Sequence, residues 1–154
     1  MRNDQQVLLR AAIAAVRDCA DQMEAQATGL LESLPAAAIS EALRANALQL
    51  TAGLKDASGR VTFELALLQA ELADNKAVAA AAVKRLSAMD ATMMSALAAM
   101  TDVVDQFEEA AERDERHEPA FVLVIEATGV LLQALEKARA ATEALVAAMR
   151  AIPS

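Results

Sequence analysis

Aromatic side chains are almost missing from this chain, which holds no Trp, no Tyr and three Phe. Aromatic cages for quaternary ammonium groups and stacking platforms for single-stranded bases therefore have nothing to be built from. Glycine and proline are scarce as well, four and three residues in 154, which leaves little material for turns and loops. The single cysteine, Cys19, has no intramolecular disulfide partner, as is usual in a reducing compartment. Basic residues are outnumbered, 14 against 22 acidic, for a net charge of −8. A nucleic-acid surface needs a basic footprint to displace counterions from phosphates, and no basic stripe is present. The same charge opposes anionic membrane surfaces. It favours solubility and leaves room for a basic partner.

What is present is alanine, roughly a quarter of the chain. Alanine is the strongest helix former and carries little apolar area. The 56% hydrophobic content therefore overstates the supply of bulky core residues. With β-branched runs also scarce, the composition predicts an all-α chain, and its length suits one domain with a substantial core.

Apolar residues recurring three or four apart mark four helices. The first runs from about residue 4 to 34 on Leu8, Ala12, Val16, Cys19, Met23, Leu30 and Leu34, and stops before Pro35. A residue before proline is pushed out of the α region, and proline suits the first turn of the next helix. The second is expected over 36–73. KDASGR, Lys55 to Arg60, resembles a loop, but the spacing Leu50, Leu54, Ala57, Val61, Leu65, Leu68 passes through it without a change of phase. A loop would reset that phase, so the helix is predicted to continue through Ser58 and Gly59. The third is expected over 76–115, with Asp74 or Asn75 as its cap, and the fourth over 119–151. Four rods of matched length, roughly 45 to 60 Å, joined by short turns predict an antiparallel up-down-up-down four-helix bundle with heptad-like packing.

The fourth helix departs from the pattern of the other three. Val124, Leu131, Leu135, Ala138, Thr142, Leu145 and Met149 share one face along its whole length and are assigned to the core. In its C-terminal half the opposite side carries Glu136, Arg139, Glu143 and Arg150. In its N-terminal half that side carries Phe121, Val122, Ile125 and Leu132 instead. Helices apolar all round are usually buried. Either the neighbouring helices wrap this end of the bundle, or these four residues form a patch closed by a second protein. The second reading predicts an interface at Phe121, Val122, Ile125 and Leu132, and two-fold homodimers are the commonest such arrangement.

Candidate chemistry is thin. Asp114-x-x-His117 has the spacing of one half of a di-iron bundle site, but such sites need two of these elements and further glutamates aimed at the bundle centre. His117 is the sole histidine and sits at a helix end, so neither a metal centre nor phosphotransfer from a mid-helix histidine is expected. Ser40, Ser58, Ser87 and Ser95 lack a histidine for a nucleophilic triad. No glycine-rich phosphate loop, dinucleotide fingerprint or zinc spacing occurs, so no cofactor is expected. Met89, Met93, Met94 and Met100 suit core filling, with an adaptable partner groove as the alternative. No motif resembles a known family closely enough to name one.

The N-terminal run MRNDQQVLLRAAIAAV, with Asp4 before its apolar residues and Arg10 among them, does not have the form of a signal peptide. The apolar run Phe121 to Leu135 is short for a bilayer span and is broken by Glu126 and Gln133. A cytoplasmic protein without membrane insertion or nucleic-acid binding is therefore expected. The sequence favours a non-catalytic interaction module that pairs with itself or with another helical protein. Behind it stand a sensor or carrier holding an apolar molecule between helices near Phe121, and then an enzyme working through carboxylates alone.

Overall fold

The three-four spacing of apolar residues becomes four long helices packed side by side. The structure, a computed structural model, describes residues 2–34, 39–74 and 79–150. Helix α1 spans Asn3–Ser33, α2 Glu41–Ala73, α3 Ala79–Arg113 and α4 Glu118–Arg150. A short 3-10 turn, Glu115–His117, joins α3 to α4. No strand occurs among the described residues. The chain is an antiparallel up-down-up-down bundle: α1 lies against α2 and α4, α3 closes the other side against the same two, and α1 and α3 meet only across the diagonal.

The core follows the predicted stripes, except that at the start of α1 Leu9 is enclosed and the expected Leu8 is half-buried. Val16, Cys19, Met23 and Leu30 of α1, Leu54, Val61, Leu65 and Leu68 of α2, and Leu86, Met89, Met93, Met100 and Phe107 of α3 are all buried. Val124, Leu131, Leu135, Ala138 and Leu145 of α4 join them, while Thr142 and Met149, assigned to the same face, are half-buried. Alanines at Ala12, Ala20, Ala27, Ala82 and Ala120 are fully enclosed between neighbouring rods, where a small side chain lets backbones approach.

The helix α2 is continuous through Ser58 and Gly59. Ser58 is buried, and its Oγ donates to the carbonyl oxygen of Ala20 at 2.7 Å. The residue that made this segment resemble a loop thus pins α2 to α1. Gly53 and Gly59 lie on the exposed side of the rod, and a Cβ at either would meet nothing within 4 Å.

The ends differ from the expected bounds. Helix α2 begins at Glu41 rather than residue 36, because Ser40 is extended and its Oγ accepts the N–H of Leu43 at 3.3 Å. Pro35 lies outside the described residues. Asp74 closes α2, its N–H donating to the Ala70 carbonyl at 3.1 Å, and Asn75 falls outside the described residues. Helix α3 stops at Arg113 rather than residue 115, because Asp114 is extended and accepts the Arg116 N–H at 3.0 Å. Pro119 then sits in the first turn of α4, where its missing N–H costs nothing.

Two substitutions separate propensity from packing. Gly59→Ala should raise stability by up to about 1 kcal/mol, since it removes a glycine from a helix interior without a clash. Leu54→Ala should lower it by about 2 to 5 kcal/mol through a cavity at the bundle centre. Thermal unfolding followed by helicity checks both; a destabilising Gly59→Ala would mean that the helix is not continuous there.

Candidate interaction surface on the fourth helix

A rod in a four-rod bundle has one inward face, two flanks and an outward face. On α4 the inward face is the buried stripe just described. On the outward face Val122 is 41% exposed, Ile125 45% and Leu132 45%. Their spacing of three and then seven residues puts them on one line, with Gly129 filling the position between. Phe121 differs from them. It leans onto the flank, is half-buried, and packs against the core. Three of the four predicted surface residues therefore form one outward strip, and the fourth buttresses it from below.

Val130, 39% exposed, is turned well away from the strip, two residues from Leu132 on the other flank. One apolar residue of a neighbouring helix borders the strip. Met94, 37% exposed, lies on the flank of α3 facing α4. That placement follows from the pair Asp90–Arg139, in which Arg139 Nε and Nη2 donate to Asp90 Oδ1 and Oδ2 at 3.0 and 3.3 Å. Met94 is one helical turn along α3 from Asp90, and Leu132 is two turns along α4 from Arg139 in the same direction. The other three methionines are in the core as expected. Residue Met94 was legible as off the stripe, but only the cross-helix register puts it beside Leu132. The same ion pair marks where the surface of α4 changes from apolar to charged.

Other exposed apolar side chains are more dispersed. Phe63 and Leu67 form a neighbouring pair one turn apart on α2; Val7 and Leu48 stand separately, and single apolar residues on a surface are ordinary. Between α2 and α3 runs an open groove of about 690 Å³, lined by small residues such as Gly53, Ala57, Ser95 and Ala99. It continues past Arg60 and Thr92 into a second hollow of about 580 Å³. There Arg85 ties the two helices together by donating to Glu64 at 3.1 Å and to Glu71 through two nitrogens. The space enclosed inside the bundle, among Cys19, Met23, Leu54, Met93, Leu131 and Leu135, is only about 10 Å³. A water molecule barely fits such a volume. Besides the two hollows on the α2–α3 side, a third of about 420 Å³ lies between the start of α2 and the α3–α4 corner, lined by Ser40, Leu43, Arg113, Asp114 and His117.

His117 Nδ1 lies 3.3 Å from the Asp114 carbonyl oxygen, at the corner between α3 and α4. The Asp114 carboxylate is held down at about 2 by hydrogen bonds from the Arg116 side chain and then its backbone N–H. It serves to cap the 3-10 turn. No cluster of three or more His, Cys, Asp or Glu side chains able to hold a metal occurs among the described residues. The Cys19 thiol is buried, and burial first, then the nearby charges of Asp18 and Asp90, push it up to about 11.

By length and composition alone the segment Glu115–Arg150 could cross a membrane, a property it shares with core helices of soluble bundles. In the bundle the inner face of this helix is held by α1 and α3. No protein-family model, curated protein or solved structure matches the chain.

Cys19 should resist thiol reagents at neutral pH in the folded protein and react rapidly once the chain is unfolded; fast labelling of the native state would contradict its burial. Because its folded value is raised, it contributes stability below about 9, and that contribution is lost as the pH climbs from 9.0 toward about 11. Unfolding curves across that window report the fall.

Proposed function

We propose that the chain is a non-catalytic helical interaction module that associates with a second copy of itself through the outward face of α4. The observation that carries this reading is the strip Val122, Ile125 and Leu132, each more than two-fifths exposed, with Met94 of α3 on its margin. Apolar side chains gathered in one place on a surface mark a site of contact more often than scattered ones do. Burying them on association releases the water they order. The charged C-terminal half of α4 borders the strip and tunes which surface can approach.

Sedimentation over a range of concentrations should show a reversible monomer–dimer equilibrium. Ile125→Glu should abolish the dimer and leave helicity and melting temperature nearly unchanged, because the side chain lies outside the core. A strictly monomeric wild-type chain at about 1 mM, a concentration at which even contacts worth only about 4 kcal/mol associate, would remove the proposal. A monomer that instead co-sediments with neutral phosphatidylcholine vesicles would identify the strip as a membrane-contact face.

A further inference from the structure

Three sulfur-bearing side chains wall one small space at the middle of the bundle. Cys19 and Met23 stand four residues apart on α1, which puts them on one face of that helix. Met93 comes from α3, the rod diagonally opposite. Each is about 2% exposed, and all three line the enclosed void of about 10 Å³. Aliphatic side chains such as Leu54, Leu131 and Leu135 complete its wall. Spacing along one helix does not reveal this set, because Met93 joins it only across the bundle.

The chemistry of the wall is that of sulfur alone. A buried water needs several polar partners, which these side chains do not provide. A thiol with two thioethers is instead a set of soft donors, the kind that selects a soft cation over a hard one. The Cys19 thiol makes no hydrogen bond among the described residues, so its sulfur is free to take a ligand. Methionine is unbranched and flexible, so each thioether can turn toward a guest without moving its helix.

Charge decides which soft cation fits. Held by one thiolate, a monovalent ion forms a neutral complex, which suits an apolar interior where uncompensated charge is costly. A divalent ion would leave a positive charge there. Zinc also calls for a fuller set of cysteine, histidine or carboxylate ligands, and no histidine or carboxylate lines this void. Burial first, then the charges of Asp18 and Asp90, hold the thiol up; the same two carboxylates attract a cation. The way in is short, since Leu54 and Ala96 line both the void and the floor of the α2–α3 groove.

We propose that Cys19, Met23 and Met93 form a copper(I) site at the centre of the bundle. On binding, the S–H bond of Cys19 breaks, its proton passes to solvent and a copper–sulfur bond forms, while each thioether donates a lone pair. No electron changes hands. The site is separate from the outward face of α4 and does not depend on association through it.

Anaerobic titration of the whole chain with copper(I) held by a competing chelator tests the assignment. One copper per chain should bind, with a sulfur-to-copper charge-transfer band in the ultraviolet and a melting temperature that rises with added copper. Cys19→Ala should abolish binding. Met23→Leu and Met93→Leu keep the apolar volume and should each weaken binding by about tenfold or more, as even residues behind a metal ligand matter by that much. Met94→Leu, on the surface, should bind as the wild type does. Undiminished binding in Cys19→Ala or in either core methionine variant would overturn the site. A wild-type chain that takes no copper from the chelator would do so as well. A melting temperature that falls on loading would mean that copper prefers the unfolded chain, which also overturns the assignment.

Discussion

Four rods packed in a square offer each rod one inward face, and that geometric limit governs everything distinctive about this chain. A helix can hide roughly a third of its circumference against its neighbours, so any apolar residues beyond that share must lie outside. Helices α1 and α3 largely respect the limit, whereas α2 leaves Leu48, Phe63 and Leu67 outside. In α1 and α3 the large buried residues follow a single stripe, and the outward faces are rich in charge and alanine. Helix α4 exceeds it: behind Val124 and Leu131, which are almost fully enclosed, stand Val122, Ile125 and Leu132 in solvent. The excess is not spread along the helix. It begins at the corner with α3 and ends at the Asp90–Arg139 pair.

The interior is packed with apolar side chains. Its polar side chains are satisfied locally: Ser58 bonds the Ala20 carbonyl, and Thr51 Oγ1 bonds the Leu48 carbonyl at 2.8 Å. The ion pairs that tie neighbouring rods, Asp90 with Arg139 and Arg85 with Glu64 and Glu71, lie on partly exposed flanks. Pairs in such positions add little stability, but they select one axial register over its neighbours. Register in turn decides which flank residues meet, and so whether apolar side chains on two helices merge into one surface. Alanine and glycine have the complementary effect between α2 and α3, where short side chains leave an open groove along the seam.

Much of the fold was legible from spacing alone. Heptad-like recurrence of Leu, Met and Val marked the buried face of each rod, and continuity of phase carried α2 through Ser58 and Gly59, against the local turn-like composition. Periodicity succeeds here because burying one stripe per helix dominates the energetics, and a stripe is visible in one dimension. Helix ends were less legible. Whether Ser40 and Asp114 cap a neighbouring turn depends on one extended residue and one hydrogen bond, a choice worth about 1 kcal/mol that spacing does not record.

The outward position of the α4 strip was also written in the sequence, since Val122, Ile125 and Leu132 stand opposite the core stripe on any helical wheel. Their exposure was not, because a wheel does not show whether a neighbouring rod or chain end folds over that side. Phe121 shows the difference: grouped with the others by sequence, it is half-buried because the adjacent helices reach its flank. Met94 shows the converse, joined to the strip only by the register between α3 and α4. The chain by itself determined which residues share a face, as helical geometry is local. The tertiary structure alone decided which faces meet, because that depends on pairings between residues some fifty positions apart, such as Asp90 and Arg139.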